Sequence, residues 1–147
     1  MRVDLDVQIR MREERLLKAL ERARAGSLRS IGYSISQIAK AKIKRGTPTG
    51  KSRGRRRELH PSRPGDPPHT RRGRLRFAIR YALAPDKQSV VIGPMASIVG
   101  DVARAHEFGG RYGKTKAASY PKRPFMGPSL QDSLPRIGPH FEGSVHA

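Results

Sequence analysis

The sequence predicts an α+β fold: two N-terminal helices packed on a small antiparallel sheet, with a long basic loop or arm between the two parts. Three observations predict it: apolar residues at helical spacing over residues 7–44, a change to period two after residue 74, and an aperiodic stretch between them rich in Gly, Pro and Arg. One domain over 1–147 is expected, divided into a helical hairpin (7–44), a basic flexible arm (45–73), a mixed segment (74–134) and a loose tail (135–147).

From Val7 to about Arg24, Met11, Leu16, Leu17, Leu20 and Ala23 recur at helical spacing with Glu and Arg on the other face. Gly26 is a stop signal, and Ser27 or Ser30 is a cap for a second helix carrying Leu28, Ile31, Ile35, Ile38 and Ile43. The arm that follows includes RGTPTGKSRGRRR, Arg45 to Arg57, which looks like a phosphate-cradling loop. The spacing fails: Gly46 and Gly50 enclose three residues instead of four, a helix precedes them where a strand is needed, and an arginine run follows where a helix should start. Nucleotide binding is set aside.

After the arm, Leu75, Phe77, Ile79, Tyr81 and Leu83 alternate with Arg74, Arg76, Ala78, Arg80 and Ala82, which predicts a strand with one buried face. The turn Ala84–Lys87 and a second strand, QSVVIG, complete an antiparallel hairpin. A third helix is expected through Ile98, Val102 and Ala105, ending near Phe108 before Gly109 and Gly110. KRPFM is expected as a last short strand, and a helix from Pro128 is limited by Pro135.

The formal charge is +19, from 31 Lys and Arg against 12 Asp and Glu. Leu, Ile, Val and Phe make up about a fifth of the 147 residues, enough for a modest core that neighbouring subunits would supplement. With no cysteine, disulfides and Cys-ligated zinc are excluded. MRVDLDVQIR lacks the apolar core of a signal peptide, and the longest weakly apolar stretch, 89–100, is too short for a bilayer; a soluble protein without a membrane partner is expected.

Three pieces stand in order: PGDPPHTRRGRLRFAIRY from Pro64, ARAHEFGG from Ala103 and YPKRPFMGPSL from Tyr120. Together, over about Pro64 to Leu134, they resemble the gene-product-ten-like tail-component proteins of long-tailed phages and the related virion morphogenesis or tail-completion proteins of Mu-like phages. The resemblance implies a virion structural protein at the head-tail neck or tail, assembled in the bacterial host cytoplasm as a homo-oligomeric ring, hexameric or dodecameric. Its implied partners are neighbouring neck, portal-adaptor or tail-tube proteins, with the packaged DNA as a further candidate. The arginine-rich arm is longer than that pattern leads one to expect.

His106 and Glu107 lack the second histidine of a helical zinc pair, so a local cap or pairing role is expected, with Phe108 anchoring the helix end in the core. That leaves His106 and Glu107 as candidates for a subunit contact. Arg123, Pro124 and Phe125 have two readings that are compatible: Phe125 packs in the core beside an edge strand fixed by Pro124, or the three anchor a neighbouring subunit. Lys51, Arg53, Arg55, Arg56 and Arg57 of the arm, with Arg71, Arg72 and Arg74, are candidate contacts to a polyanion or an acidic protein surface, the last three joining Arg76 and Arg80 in a basic stripe on one side of the sheet. The alternative function is a sequence-tolerant nucleic-acid-binding protein, although no stacking platform of aromatic residues is apparent. No catalytic, cofactor or metal residue is expected: there is no cysteine nucleophile, paired-carboxylate segment or G-x-S-x-G elbow.

Overall fold

The computed structural model describes residues 3–47, 60–112 and 118–144, with side chains from residue 12 onward and residue 118 by its backbone alone. The chain is of mixed α and β type, as the α+β expectation requires, but is built around one long helix where a hairpin of two helices is expected over 7–44.

That helix, α1 (Val3–Lys42), runs 40 residues without interruption, about 60 Å at 1.5 Å per residue. The expected break at Gly26 is absent. A glycine inside a helix costs only about 1 kcal/mol relative to alanine, and here a continuous buried stripe outweighs it: Ala25, Ile31, Ile35 and Ala39 lie four to six residues apart on the inner face, and Ile43 continues the stripe just past the helix end. Lys40 and Lys42 occupy the last turn, where their charge complements the helix dipole.

The next elements are α2 (Arg74–Ala78) and β1 (Ile79–Leu83). The alternation expected from Leu75 therefore starts four residues late. Leu75, Ala78 and Ile79 are buried and Phe77 is exposed, so the segment buries itself with helical spacing before its backbone extends. β1 pairs antiparallel with β2 (Val90–Pro94), placing Tyr81 opposite Ile92 and Ala82 opposite Val91. The turn has the expected chemistry, with the Gln88 N–H donating to the Asp86 carboxylate at 2.8 Å and the Lys87 N–H to the Ala84 carbonyl.

One face of this hairpin lies on α1 at Gly32. A Cβ there would meet Tyr81 Cδ2 at 2.7 Å and Val90 Cγ2 at 2.8 Å, and Tyr33 stands edge-on to Tyr81 with ring centroids 6.4 Å apart.

The expected third helix is divided into α3 (Ala96–Val99) and α4 (Val102–Phe108), because Gly100 takes a left-handed φ of 53° between them. A second small hairpin, β3 (Gly110–Tyr112) with β4 (Ala118–Tyr120), precedes KRPFM. Residues 121–125 form no strand; two prolines in this stretch remove donors that a ladder would need. Helix α5 (Met126–Ile137) begins two residues before Pro128 and carries Pro135 in its last turn, and a 3₁₀ turn, Gly138–His140, ends it.

Much of the segment expected as an arm belongs to the body. The Thr70 N–H donates to the Lys44 carbonyl at 2.9 Å and the Gly65 N–H to the Lys122 carbonyl at 2.8 Å, while Pro68 and Ser62 are buried. The core joins Ala39 and Ile43, Leu75 and Ile79, Ala103 and Phe125, with Val99 and Met126 against it.

Two glycines in α1 give opposite expectations. Gly26→Ala meets nothing within 4 Å and should raise unfolding free energy by roughly 0.5–1 kcal/mol in urea titration, whereas a helix stop at that position would make it destabilising. Gly32→Ala should lower stability by on the order of 1 kcal/mol, an overpacking cost of about 1–3 kcal/mol less the gain in helix propensity.

Candidate functional site

The HEFGG and KRPFM motifs meet at the start of α5. That helix has Phe125 at its N-cap, which offers no side-chain acceptor, so its first N–H groups need a partner from elsewhere. Glu107, in the last turn of α4, supplies it. One carboxylate oxygen, Oε2, accepts from the N–H groups of Phe125 at 2.9 Å and Met126 at 3.0 Å, and Oε1 accepts from Gly127 at 2.8 Å. A full negative charge thus sits at the positive end of the helix dipole and satisfies three donors at once.

Neighbouring contacts make this a three-way junction. The Arg123 N–H donates to the His106 carbonyl at 2.7 Å, and Arg123 Nε donates to the Ser62 carbonyl at 3.0 Å, which ties in the second half of the segment expected as an arm. Gly109 holds φ at 66°, and a Cβ there would lie 2.9 Å from Lys122 Cγ and 3.0 Å from the Tyr120 carbonyl. Glycine therefore meets both the backbone and the space requirement.

His106 is half-buried at the junction, and its Nδ1 has no hydrogen-bond partner among the described residues. Burial lowers its pKa below 6.5, and the nearby Arg123 guanidinium lowers it further, so the ring is held neutral at neutral pH.

The sequence-derived candidates separate here. Glu107 does cap a helix, but a different one from its own, and its oxygens are engaged inside the chain. Phe108 does not anchor α4 in the core: it is 64% exposed, while Phe125 is fully buried. Pro124 lies in no strand, and Arg123 is half-buried against Ser62. The expected basic stripe does not form on one sheet face, because Arg71 and Arg72 precede α2, Arg74 and Arg76 lie on its helical turn, and only Arg80 is in β1. Arg74 Nη2 donates to the Ile98 carbonyl at 2.9 Å, and Arg80 stands 4.5 Å over the Phe77 ring. Lys51, Arg53, Arg55, Arg56 and Arg57 lie outside the described residues.

Sequence reasoning missed the exposed apolar groups, Leu16, Leu17 and Leu20 on α1 and Phe77, Val91 and Met95 near the first hairpin. The readable signal was the absence of enough apolar partners: few large residues remain to cover the first half of so long a helix. Among the described residues no group of three or more His, Asp or Glu is placed to hold a metal ion, and no helix is long and apolar enough to cross a membrane.

Comparison with protein-family models, with curated proteins and with solved structures gives no match for this chain.

Two outcomes follow from the junction. Glu107→Ala should cost about 2 kcal/mol or more in urea unfolding by leaving three donors without their acceptor, and Glu107→Gln, which keeps one carbonyl oxygen, should cost less. For His106 the folded pKa lies below the unfolded one, so the unfolded state takes up the proton first; stability should fall as pH drops below about 6.5, and His106→Gln should flatten that fall.

Proposed function

We propose that the protein is a structural component of a phage virion, a head-tail connector, neck or tail-completion protein that assembles as an oligomeric ring joining the capsid portal complex and the tail. The observation that carries this reading is the junction itself. The three sequence pieces that resemble the tail-component family, around Pro64, His106 and Arg123, meet in space through the Gly65, Glu107 and Arg123 hydrogen bonds. Motifs that serve one junction are expected to travel together in order along a chain, which gives their co-occurrence a physical basis. The large apolar side chains left in contact with water are a second support, since surfaces of this kind mark contacts between proteins.

A net charge of +19 favours, as a second reading, a sequence-tolerant nucleic-acid-binding protein. In that reading the arm residues from Lys51 to Arg57 neutralise phosphates and release counterions. Light scattering at moderate salt with and without duplex DNA, followed by electron-microscope imaging, separates the two. Defined rings without DNA are the expected result. Large species that form only with DNA and dissolve steeply as salt rises would overturn the connector reading.

A further inference from the structure

We propose that copies of this chain associate head to tail: the leucine face on the first half of α1 in one copy docks on the outward face of the β1–β2 hairpin in the next. The inference rests on the ring reading and names the surfaces that would build the ring.

The first surface is on α1 before Ala25. Leu16, Leu17 and Leu20 are 51%, 60% and 42% exposed, although they are the large apolar residues between Arg12 and Arg24. Glu13, Leu17, Leu20 and Glu21 follow at i, i+4, i+7 and i+8, so the two acids share the leucine face, and Glu14 borders it. Arg15, Lys18 and Arg22 fall on the opposite side of the helix, while Arg12, four residues before Leu16, and Arg24, four after Leu20, flank the face at its two ends. In a strongly basic chain, this face is unusual in that its acids, Glu13, Glu14 and Glu21, outnumber its two arginines. Phe141 lines a groove of about 620 Å³ together with Leu17 and Leu20 and widens the apolar area, with Gln88, Glu21 and Arg24 as polar lining.

The second surface is the side of the hairpin turned away from α1. Val91, Gly93 and Met95 alternate onto it, with Ala82 opposite Val91 and Arg80 opposite Gly93. The Met95 N–H donates to the carbonyl of Ala78, the residue after Phe77, and the Arg80 guanidinium stands over the Phe77 ring. Phe77, Val91 and Met95 are 61%, 67% and 45% exposed. Arg76 and Arg80 border the patch, and no acidic residue occurs between Pro67 and Pro85.

Charge decides which surfaces meet. Two hairpin faces would bring Arg against Arg, and two leucine faces would set a mixed Glu and Arg border against itself; a leucine face on a hairpin face pairs apolar with apolar and its three Glu with Arg alone. Within one chain the contact is barred, because α1 already lies on the other side of the same hairpin at Gly32. Docking would also cover the second face of a two-stranded sheet, an element of marginal stability when open. Because the two surfaces differ, each copy offers one of each, and such contacts close into rings or run on as filaments.

The test uses the full chain and two charge-reversed variants, Glu13→Arg/Glu14→Arg/Glu21→Arg and Arg76→Glu/Arg80→Glu, followed by sedimentation and light scattering. Each variant alone should associate roughly 100-fold more weakly than the native chain, and an equimolar mixture should recover to within about tenfold, because each reversed surface then finds its complement. The chain has no native cysteine, so Leu17→Cys and Val91→Cys variants, mixed and oxidised, report the contact directly. A Leu17 to Val91 cross-link is expected. Native chains that stay monomeric, association unaffected by either reversal, or Leu17 to Leu17 cross-links within assembled rings would each overturn the proposal; the last two leave the ring reading standing. Open filaments carrying the expected cross-link would keep the contact and overturn the ring.

Discussion

The Glu107 carboxylate at the start of α5 is the interaction on which the rest of the body depends. Three backbone N–H groups converge on it in charge-assisted bonds, those of Phe125 and Met126 in a partly buried place. Those donors belong to the residues that deliver Phe125 into the core beside Ala39 and Ile43, so holding the helix start also holds the largest buried side chain. By contrast, the ion pair that joins α5 to α1, Lys42 to Asp132 at 2.6 Å, has its carboxylate 55% exposed and contributes about 0–1 kcal/mol. Capping, not the surface pair, positions α5.

Around that junction the molecule divides its helix between two roles. From Ala25 onward α1 is a structural spine, buried against the hairpin, α5 and the core. Before Ala25 it has little of its own chain to lie on, and its helical state there draws on continuity with the spine and on the good helix formers Glu, Arg, Leu, Lys and Ala that fill residues 12–24. A helix that begins free and ends embedded is rigid enough to present a face at a distance.

How much of this was legible in the sequence follows from which signals were local. The turn at Ala84–Lys87, the hairpin and the buried Phe125 could be read because turn chemistry and apolar runs act over a few residues. Gly26 misled because a glycine costs a helix only about 1 kcal/mol, too little to break one whose buried stripe starts beside it at Ala25. Leu75 and Phe77 misled because their spacing suits a strand while Ala78 completes a helical turn. Glu107 was read as a cap, yet the helix it caps starts eighteen residues later by the Phe125 bond, a pairing that only the folded backbone reveals. Phe108 and Phe125 look alike in sequence; α4 turns one to water, and the α5 junction turns the other inward.

Gly32 sets something further. The hairpin approaches α1 so closely there that Tyr81 and Val90 occupy the space of a missing methyl. Sliding the helix by one turn, 5.4 Å, would bring Leu28 or Ser36 to that place, each with a side chain that the ring of Tyr81 already excludes. The helix is therefore keyed like a shaft with a single notch, and the length that stands clear of the body is determined by one absent carbon atom.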